Sequence, residues 1–561
     1  MRDTNQLTDV RLIARNGTSL YVHRAVVSST SVLFRSLFRN NFLDKEYTNQ
    51  ATVYFPEVSE ETLRLISDFS YGLDISLDDC DIPELLNWVG YLRMPELFTY
   101  SVEWIAKQFS FDNCLKFVRL ATLYKAVELK SKILRFVCNN FEEVWLKSRA
   151  DFLTLSFDDL LAILSDDRTN IRYERLAWLV IKQWIKHVPG ERKKFFKRLF
   201  MTLRLTLLDP CTFDEILDNE MVENDEECMS LMHAAYAMVR GIQLQNNEIM
   251  SLLEGNACVP RLPYEVVFTT GGKAAHVVRG TMQVYDPRAE KWHELESWDK
   301  AGFRAYHGSI SVGSSLFNIG GYNGNDYLSL VSVFDLSEKS WSYRAAMNAK
   351  RCYVAVAEYH GQMYAFGGMD GRHRLHTVER YHPESNQWSY VHCMNSPRSD
   401  AHAVTVGDKI FVVGGFDGFN FMSTVECYDP AVDRWTEASR MTRQRSGVGR
   451  YDPRTKMWQE LAPMRQRRSN FGIAVVENQM LVAGGLNMLH AMKTCEIYEP
   501  RMDRWRHLPP LLKASCALSC VVFKELPNVE NFLKTPRQPK RSLIYPWDFP
   551  WHLHREANNG T

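Results

Sequence analysis

Five glycine doublets recur through the second half of the chain, each followed at fixed distances by the same two aromatic positions. The doublets are Gly271-Gly272, Gly320-Gly321, Gly367-Gly368, Gly414-Gly415 and Gly484-Gly485. An aromatic stands 13 residues after the second glycine of each: Tyr285, Phe334, Tyr381, Tyr428 and Tyr498. A tryptophan stands 7 residues after each aromatic: Trp292, Trp341, Trp388, Trp435 and Trp505. Successive tryptophans are 49, 47 and 47 residues apart over the first four units. A repeat of that length limits the chain to architectures assembled from like modules, because one module cannot bury its own apolar faces.

The content of each unit points to strands. Apolar or β-branched residues precede the doublet, as in Ile410-Phe411-Val412-Val413, and read as a short buried strand. The doublet permits a bend and a close backbone approach. A second strand ends at the aromatic, and Asp-Pro turns follow at Asp286-Pro287, Asp429-Pro430 and Asp452-Pro453. The tryptophan opens an outermost strand. Such four-stranded modules pack around an axis as a β-propeller. The first unit begins at its second strand, Val266-Val267-Phe268, so the segment from Leu518 to Phe523 is expected to supply the missing strand and close the ring.

One unit is incomplete. The pair Tyr451 and Trp458 keeps the spacing of 7 but has no doublet, and Trp458 follows Trp435 by 23 residues instead of 47. The 24 missing residues join Arg445-Ser446-Gly447-Val448-Gly449 directly to Arg450-Tyr451-Asp452-Pro453. The expectation is an apolar gap, raw strand edges and a compromised ring.

The first half reads differently. Val10, Leu12 and Ala14 alternate as a strand, and Leu20-Tyr21-Val22 returns after Asn16-Gly17, a hairpin turn expected to place both central residues at positive φ. A helical pattern runs through Leu33, Phe34, Leu37 and Phe38, then a strand over Thr52-Val53-Tyr54-Phe55, then a helix with Leu63, Ile66 and Phe69. His23 is expected to be a buried structural histidine and not a ligand. From residue 108 to about 240 the pattern is helical, with Ala177, Ile181, Trp184 and Val188 on one face and Pro189-Gly190 as the stop.

Composition excludes several classes. Lys+Arg and Asp+Glu are equal at 67 each, so no whole-chain basic field favours nucleic acid. The polar stretch from Met1 to Asp9 is expected not to be a secretory signal, and nothing reads as a membrane span. The 12 cysteines are scattered singly, which reads as reduced thiols in the cytosol or nucleus. His293, His307, His360, His376, His402 and His490 show no repeated ligand spacing, so neither a metal nor another cofactor is expected. No zinc-finger spacing, phosphate loop or nucleophile elbow occurs.

Asp9-Val10, His23-Arg24-Ala25-Val26 and the Phe34…Leu37-Phe38 helix resemble a BTB/POZ fold, Phe111-Asp112-Asn113-Cys114-Leu115 resembles the start of a BACK domain, and the doublet units resemble kelch repeats. The whole order resembles the kelch-like family. That resemblance implies a multidomain α+β and all-β chain: a BTB/POZ α/β domain over 1–107, an all-helical BACK domain over 108–255, a six-bladed kelch β-propeller with blade five truncated over 262–525, and a tail over 526–561. It implies a non-catalytic substrate adaptor of a cullin-3 ubiquitin ligase, homodimeric through BTB. An actin-binding kelch scaffold shares the same domains and stands as the alternative. Phe42-Leu43-Asp44 best matches the family's cullin contact of apolar residue, any residue and glutamate, with aspartate one methylene short.

Arg304, Arg351, Arg398, Arg445 and Arg468 recur 12, 10, 10, 10 and 10 residues after the preceding tryptophan, and such regularity suggests a structural task. Two residues on, the side chain varies: Tyr306, Tyr353, Asp400, Gly447 and Asn470. Varied side chains on a fixed scaffold are where specificity is written. Tyr306, Tyr353, Asp400 and Asn470 are therefore the candidate protein-substrate contacts, with the two tyrosines as anchors.

Overall fold

Alternating strands and amphipathic helices build the first of two compact units into which the chain divides, and antiparallel sheets build the second. The computed structural model describes residues 7–39, 51–78, 80–240, 258–275, 277–295, 303–441, 449–452, 454–488 and 490–533. In the first unit, Val10–Ile13 pairs antiparallel with Ser19–Val22 and parallel with Ala51–Tyr54. Only Gly17 of the connecting turn has positive φ, at 83°. The expectation that Asn16 shares this conformation is corrected. The Asn16 side chain accepts from the Thr18 amide, and the Ala14 amide bonds to the Thr18 carbonyl, a longer loop closed by one left-handed glycine. His23 precedes the helix Arg24–Thr30 and is half-buried, not buried; its backbone amide donates to the Tyr71 hydroxyl at 2.8 Å.

Helices follow from Glu60 to Arg240. Among them, Glu174–His187 buries Ala177, Ile181 and Trp184 as the periodicity predicts, and leaves Val188 half-buried at its end. The 12 cysteines all lie among the described residues, and none is in a disulfide. Among the described residues no helix is long and apolar enough to cross a membrane.

Among the described residues the second unit contains five four-stranded antiparallel sheets. The strand Ser519–Lys524 pairs with Glu265–Thr270 and completes the first sheet from the far end of the propeller sequence, as the repeat analysis expects. The aromatic and the tryptophan of each unit face one another across two strands, Tyr381 opposite Trp388 and Tyr428 opposite Trp435, with ring centroids 5.2 and 5.0 Å apart. The tryptophan also ties neighbouring units together. Nε1 of Trp388, Trp435 and Trp505 donates to the carbonyl of Ala345, His392 and Ala462, each 43 residues earlier.

Arg351, Arg398 and Arg468 perform the structural task anticipated for the repeated arginine; Arg304 bonds the Asn318 and Gly320 carbonyls, and Arg445 lies outside the described residues. Arg351 is fully buried and donates to the carbonyls of Gly367 and Thr377 and to the Glu379 carboxylate at 2.9 Å, while its own carbonyl accepts from Gly321 of the preceding unit at 2.8 Å. Arg398 and Arg468 repeat the pattern with Glu426 and Glu496. A Cβ on Gly320 would stand 2.3 Å from the Arg351 carbonyl oxygen, so only glycine fits beneath the stitch. Glu379 also accepts from the Asn348 and Ala349 amides, which leaves its buried charge fully bonded.

The fifth unit is a two-stranded hairpin, Gly449–Asp452 with Met457–Glu460. Its outer connections survive. Trp458 Nε1 reaches the Ser439 carbonyl, 19 residues earlier instead of 43, shorter by the 24 that are missing. Among the described residues the unit has no inner strand, and Val404, Val406 and Val475 on the flanking units are exposed.

Removing one member of the buried stitch leaves the other uncompensated. Glu379→Ala is expected to cost about 3–5 kcal/mol, whereas Lys409→Ala, which breaks an exposed pair with Asp429, is expected to cost less than about 1 kcal/mol. Denaturant unfolding of the two variants beside the parent checks the contrast.

Candidate recognition ring on the propeller

The variable positions after the arginines are joined to one another through the backbone. The Tyr353 amide donates to the Tyr306 carbonyl at 2.8 Å, and the Asp400 amide to the Tyr353 carbonyl at 3.1 Å. The Tyr306 amide donates to the Ala517 carbonyl at 3.0 Å, and the Ala517 amide to the Asn470 carbonyl at 2.7 Å. Five units are thus linked head to tail just before their inner strands begin. Gly447, the matching residue of the fifth unit, lies outside the described residues.

Each of the five residues has a left-handed backbone, with φ of 59° at Tyr306, 55° at Tyr353, 56° at Asp400, 49° at Asn470 and 57° at Ala517. Such a conformation is costly for a side chain with Cβ, and for tyrosine more than for asparagine. It is held because both backbone groups of the inner members bond across unit boundaries. The main chain is committed to architecture and the side chain is left to vary.

Those side chains form a graded surface. Tyr306 and Tyr353 are half-buried against one another with centroids 4.2 Å apart, and Lys273 Nζ lies 4.9 Å from the Tyr306 ring centre. Burial opposes a charge on Lys273, yet its hydrogen bond to Tyr306 holds its pKa above the ordinary lysine value. Burial, with Tyr306 alongside, drives the Tyr353 phenol well above its usual range, so it acts as a neutral donor and acceptor. Although Asp400 is exposed as a residue, the neighbours packed round its carboxyl keep water from it and raise its pKa, against a hydrogen bond from Ser399 at 2.8 Å and the charge of Arg374 nearby. Asp400 and Asn470 are exposed. The ring therefore brings together all four of the predicted substrate contacts. Phe42, Leu43 and Asp44 lie outside the described residues.

Sequence reasoning missed two further sets. Ala517 completes the ring but lacks the arginine marker, because Ser515 stands where the other units have arginine. The residue after each doublet, Lys273, Tyr322, Met369, Phe416 or Leu486, bridges to the residue preceding a ring member and so borders the ring. Hairpins leaving these positions return at Tyr327, Arg374 and Phe421, and Phe419 and Phe421 stand exposed on the fourth. The fixed offset from the doublet was the available signal.

Four family models match the chain in order. The "BTB/POZ domain" covers residues 1–109, "BTB And C-terminal Kelch" 114–218, "KLHDC2/KLHL20/DRC7 Kelch-repeats domain" 263–452 and "Kelch motif" 467–512. The chain thus matches BTB, BACK and kelch models in that order. It is 26% identical to Kelch-like protein 8 of Caenorhabditis elegans over 58% of its own length and 49% of the relative's. It is 26% identical to Kelch-like protein 9 of Mus musculus over 65% and 58%, and 25% identical to Kelch-like protein 28 of Mus musculus over 65% and 64%. The matched region spans half to just under two thirds of these curated relatives. Domain order and relatives together support the kelch-like family.

Behind Tyr306, His307 is buried with Nε2 2.9 Å from Thr270 Oγ1. Burial first, and Arg304 second, pull its pKa from 6.5 to about 3. The unfolded chain takes up that proton near pH 6.5 and the folded chain does not, so this contribution is present above pH 6.5 and lost as pH falls. Between pH 7.5 and pH 5 the loss is expected to be about 2 kcal/mol. Melting curves should show a shallower acid slope for His307→Gln than for the parent.

Proposed function

We propose that the chain is a non-catalytic substrate-recognition adaptor of a cullin-3 RING ubiquitin ligase. Its first half binds cullin-3 and, through the BTB domain, a second copy of itself. The recognition ring holds the protein to be ubiquitinated. What supports this reading is the combination of BTB, BACK and kelch matches in that order with a backbone-locked ring whose side chains differ from unit to unit. An adaptor acts by proximity: tethering the bound protein raises the local concentration of its lysines beside the charged conjugating enzyme, and the chemistry belongs to other subunits.

At the cullin contact, Phe42 would fill an apolar pocket and Asp44 would accept hydrogen bonds. On the ring, Tyr306 and Tyr353 combine apolar area with hydroxyl groups and would anchor the captured protein. Arg261-Leu262-Pro263-Tyr264, Arg304-Ala305-Tyr306-His307-Gly308 and Arg468-Ser469-Asn470-Phe471-Gly472-Ile473 resemble kelch-like protein 10. That resemblance points to a role in male germ cells, and the singly scattered thiols point to the cytoplasm, with the nucleus as the alternative.

Affinity purification of the full chain with mass spectrometry tests both ends at once. Cullin-3 is expected to co-purify with the parent and to be lost with Phe42→Ala, while propeller partners are retained. Retention of cullin-3 by that variant, or co-sedimentation with filamentous actin and no cullin-3, contradicts the reading. At the ring, Tyr306→Asn and Tyr353→Asn suit the left-handed backbone. They are expected to lower partner recovery at least tenfold with melting temperature within a few degrees of the parent; undiminished recovery contradicts the anchoring role.

A further inference from the structure

Two cations stand beside the ring without a carboxylate partner. Half-buried cations elsewhere in the propeller are paired: Arg288 with Glu477, Arg506 with Glu290, and Lys513 with Glu294. Lys273 and Arg374 are also half-buried, yet among the described residues neither lies within ion-pair distance of a carboxylate. Both occupy places where the other units carry uncharged residues. After the doublet those units have Tyr322, Met369, Phe416 and Leu486, and where the hairpin returns they have Tyr327 and Phe421. Both also border the tyrosine pair. Lys273 lies over Tyr306, and Met369 bridges to Arg374 on one side and to Cys352, the neighbour of Tyr353, on the other. The buried Cys352 thiol accordingly feels the charges of both Lys273 and Arg374.

The hydrogen-bond capacity here is all on the donor side. Lys273 bonds the Tyr306 hydroxyl, and so does the neutral Tyr353 phenol, whose ring centre is 4.2 Å from that of Tyr306. A hydroxyl has two acceptor sites and one donor, so Tyr306 keeps its own proton to give. Bonds accepted from an ammonium and a phenol strengthen that donor. The Arg374 guanidinium lies 5.3 Å from the Phe416 ring centre. Its Nη1 donates to the Met369 thioether, a weak acceptor, and its buried Nε has none. The one carboxyl of the ring, Asp400, is already bonded by Ser399 and is held above its ordinary pKa, so it offsets Arg374 only in part.

We propose that the ring takes an acidic segment of its partner, one carboxylate of which is seated on Lys273 Nζ and the Tyr306 hydroxyl, with Arg374 adding to the attraction. A cation half removed from water, lying on an aromatic face and lacking a counter-ion, gains most from an anion that completes charge-assisted hydrogen bonds. The donor set favours carboxylate over phosphate. Phosphate sites gather several arginines, whereas one ammonium, one phenol and one guanidinium are supplied here by three different units. An aspartate or glutamate side chain and a C-terminal carboxylate offer the same chemistry. The inference rests on the ring as the seat of the captured protein, and it names the class of segment seated there.

Peptide capture by the immobilised full chain tests the proposal. Three random nonapeptide libraries are amidated at the C-terminus and carry at the centre Asp or Glu, Asn or Gln, or phosphoserine, with no other charged residue. A fourth lacks acidic residues and keeps a free C-terminal carboxylate. The acidic library is expected to be retained at least about tenfold over the neutral one. Lys273→Met is expected to abolish that preference, Lys273→Arg to restore most of it, and Arg374→Met to lower it about threefold, all with melting temperatures within a few degrees of the parent. Retention of the fourth library alone, lost in Lys273→Met, upholds the seat and assigns the carboxylate to a chain end. Equal retention of acidic and neutral libraries, or preference for phosphoserine, overturns the carboxylate; where Tyr306→Asn abolishes that retention, the ring still stands as the seat. Retention of no library, or retention that ignores Tyr306→Asn, overturns the seat and this inference together.

Discussion

The propeller depends on one repeated contact, the buried arginine that joins two units at once. At Arg351, Arg398 and Arg468 the guanidinium bonds the doublet carbonyl and the glutamate of its own unit, and the Arg351 carbonyl accepts from the second doublet glycine of the unit before. A buried charge is tolerated only when paired and fully bonded. Glu379 meets that condition, being bonded by Arg351 and by two backbone amides. The same contact fixes where the next inner strand begins. It thereby positions the left-handed residue two places on, whose side chain carries the recognition surface. Architecture and specificity are separated within three residues.

This separation explains how the fifth unit can lose half its strands without dissolving the array. Two linkages run between units, the arginine stitch on the inside and the tryptophan bond on the outside. The missing 24 residues include the doublet, and Arg445, the arginine of this unit, lies outside the described residues. Their loss spares the hairpin that holds Tyr451 and Trp458, whose rings remain 5.1 Å apart, and Tyr451 packs 5.9 Å from Phe411 of the fourth unit. Among the described residues the loss leaves exposed valines inward and the tryptophan bonds outward.

Much of this was legible from spacing alone. Doublet, aromatic and tryptophan at constant offsets marked the sheets, and the unpaired Val266-Val267-Phe268 foretold closure by Ser519–Lys524. The constancy of the arginines against the variety two residues later separated scaffold from site. Other features were hidden for physical reasons. Glu379, Glu426 and Glu496 read as ordinary strand residues, because nothing in a sequence tells a buried carboxylate from a solvated one. Ala517 escaped because its unit substitutes Ser515 for arginine and Gln283 for the glutamate position, losing both partners of the stitch together; the Gln283 side chain instead accepts from the Leu512 amide. Asn16-Gly17 announced a turn but not its length, since Asn16 capped the loop through its side chain. His23 was placed too deep because its backbone bond to Tyr71 arises from a residue 48 positions away.

The central claim is that the ring residues are rigid in the main chain and free in the side chain. Residue-resolved hydrogen exchange of the unliganded protein measures this directly. The account predicts that the amides of Tyr306, Tyr353, Asp400 and Ala517 exchange as slowly as those of the adjoining inner strands. Exchange at these four positions as fast as at the exposed hairpin residues Asn325 and Phe419 would contradict it.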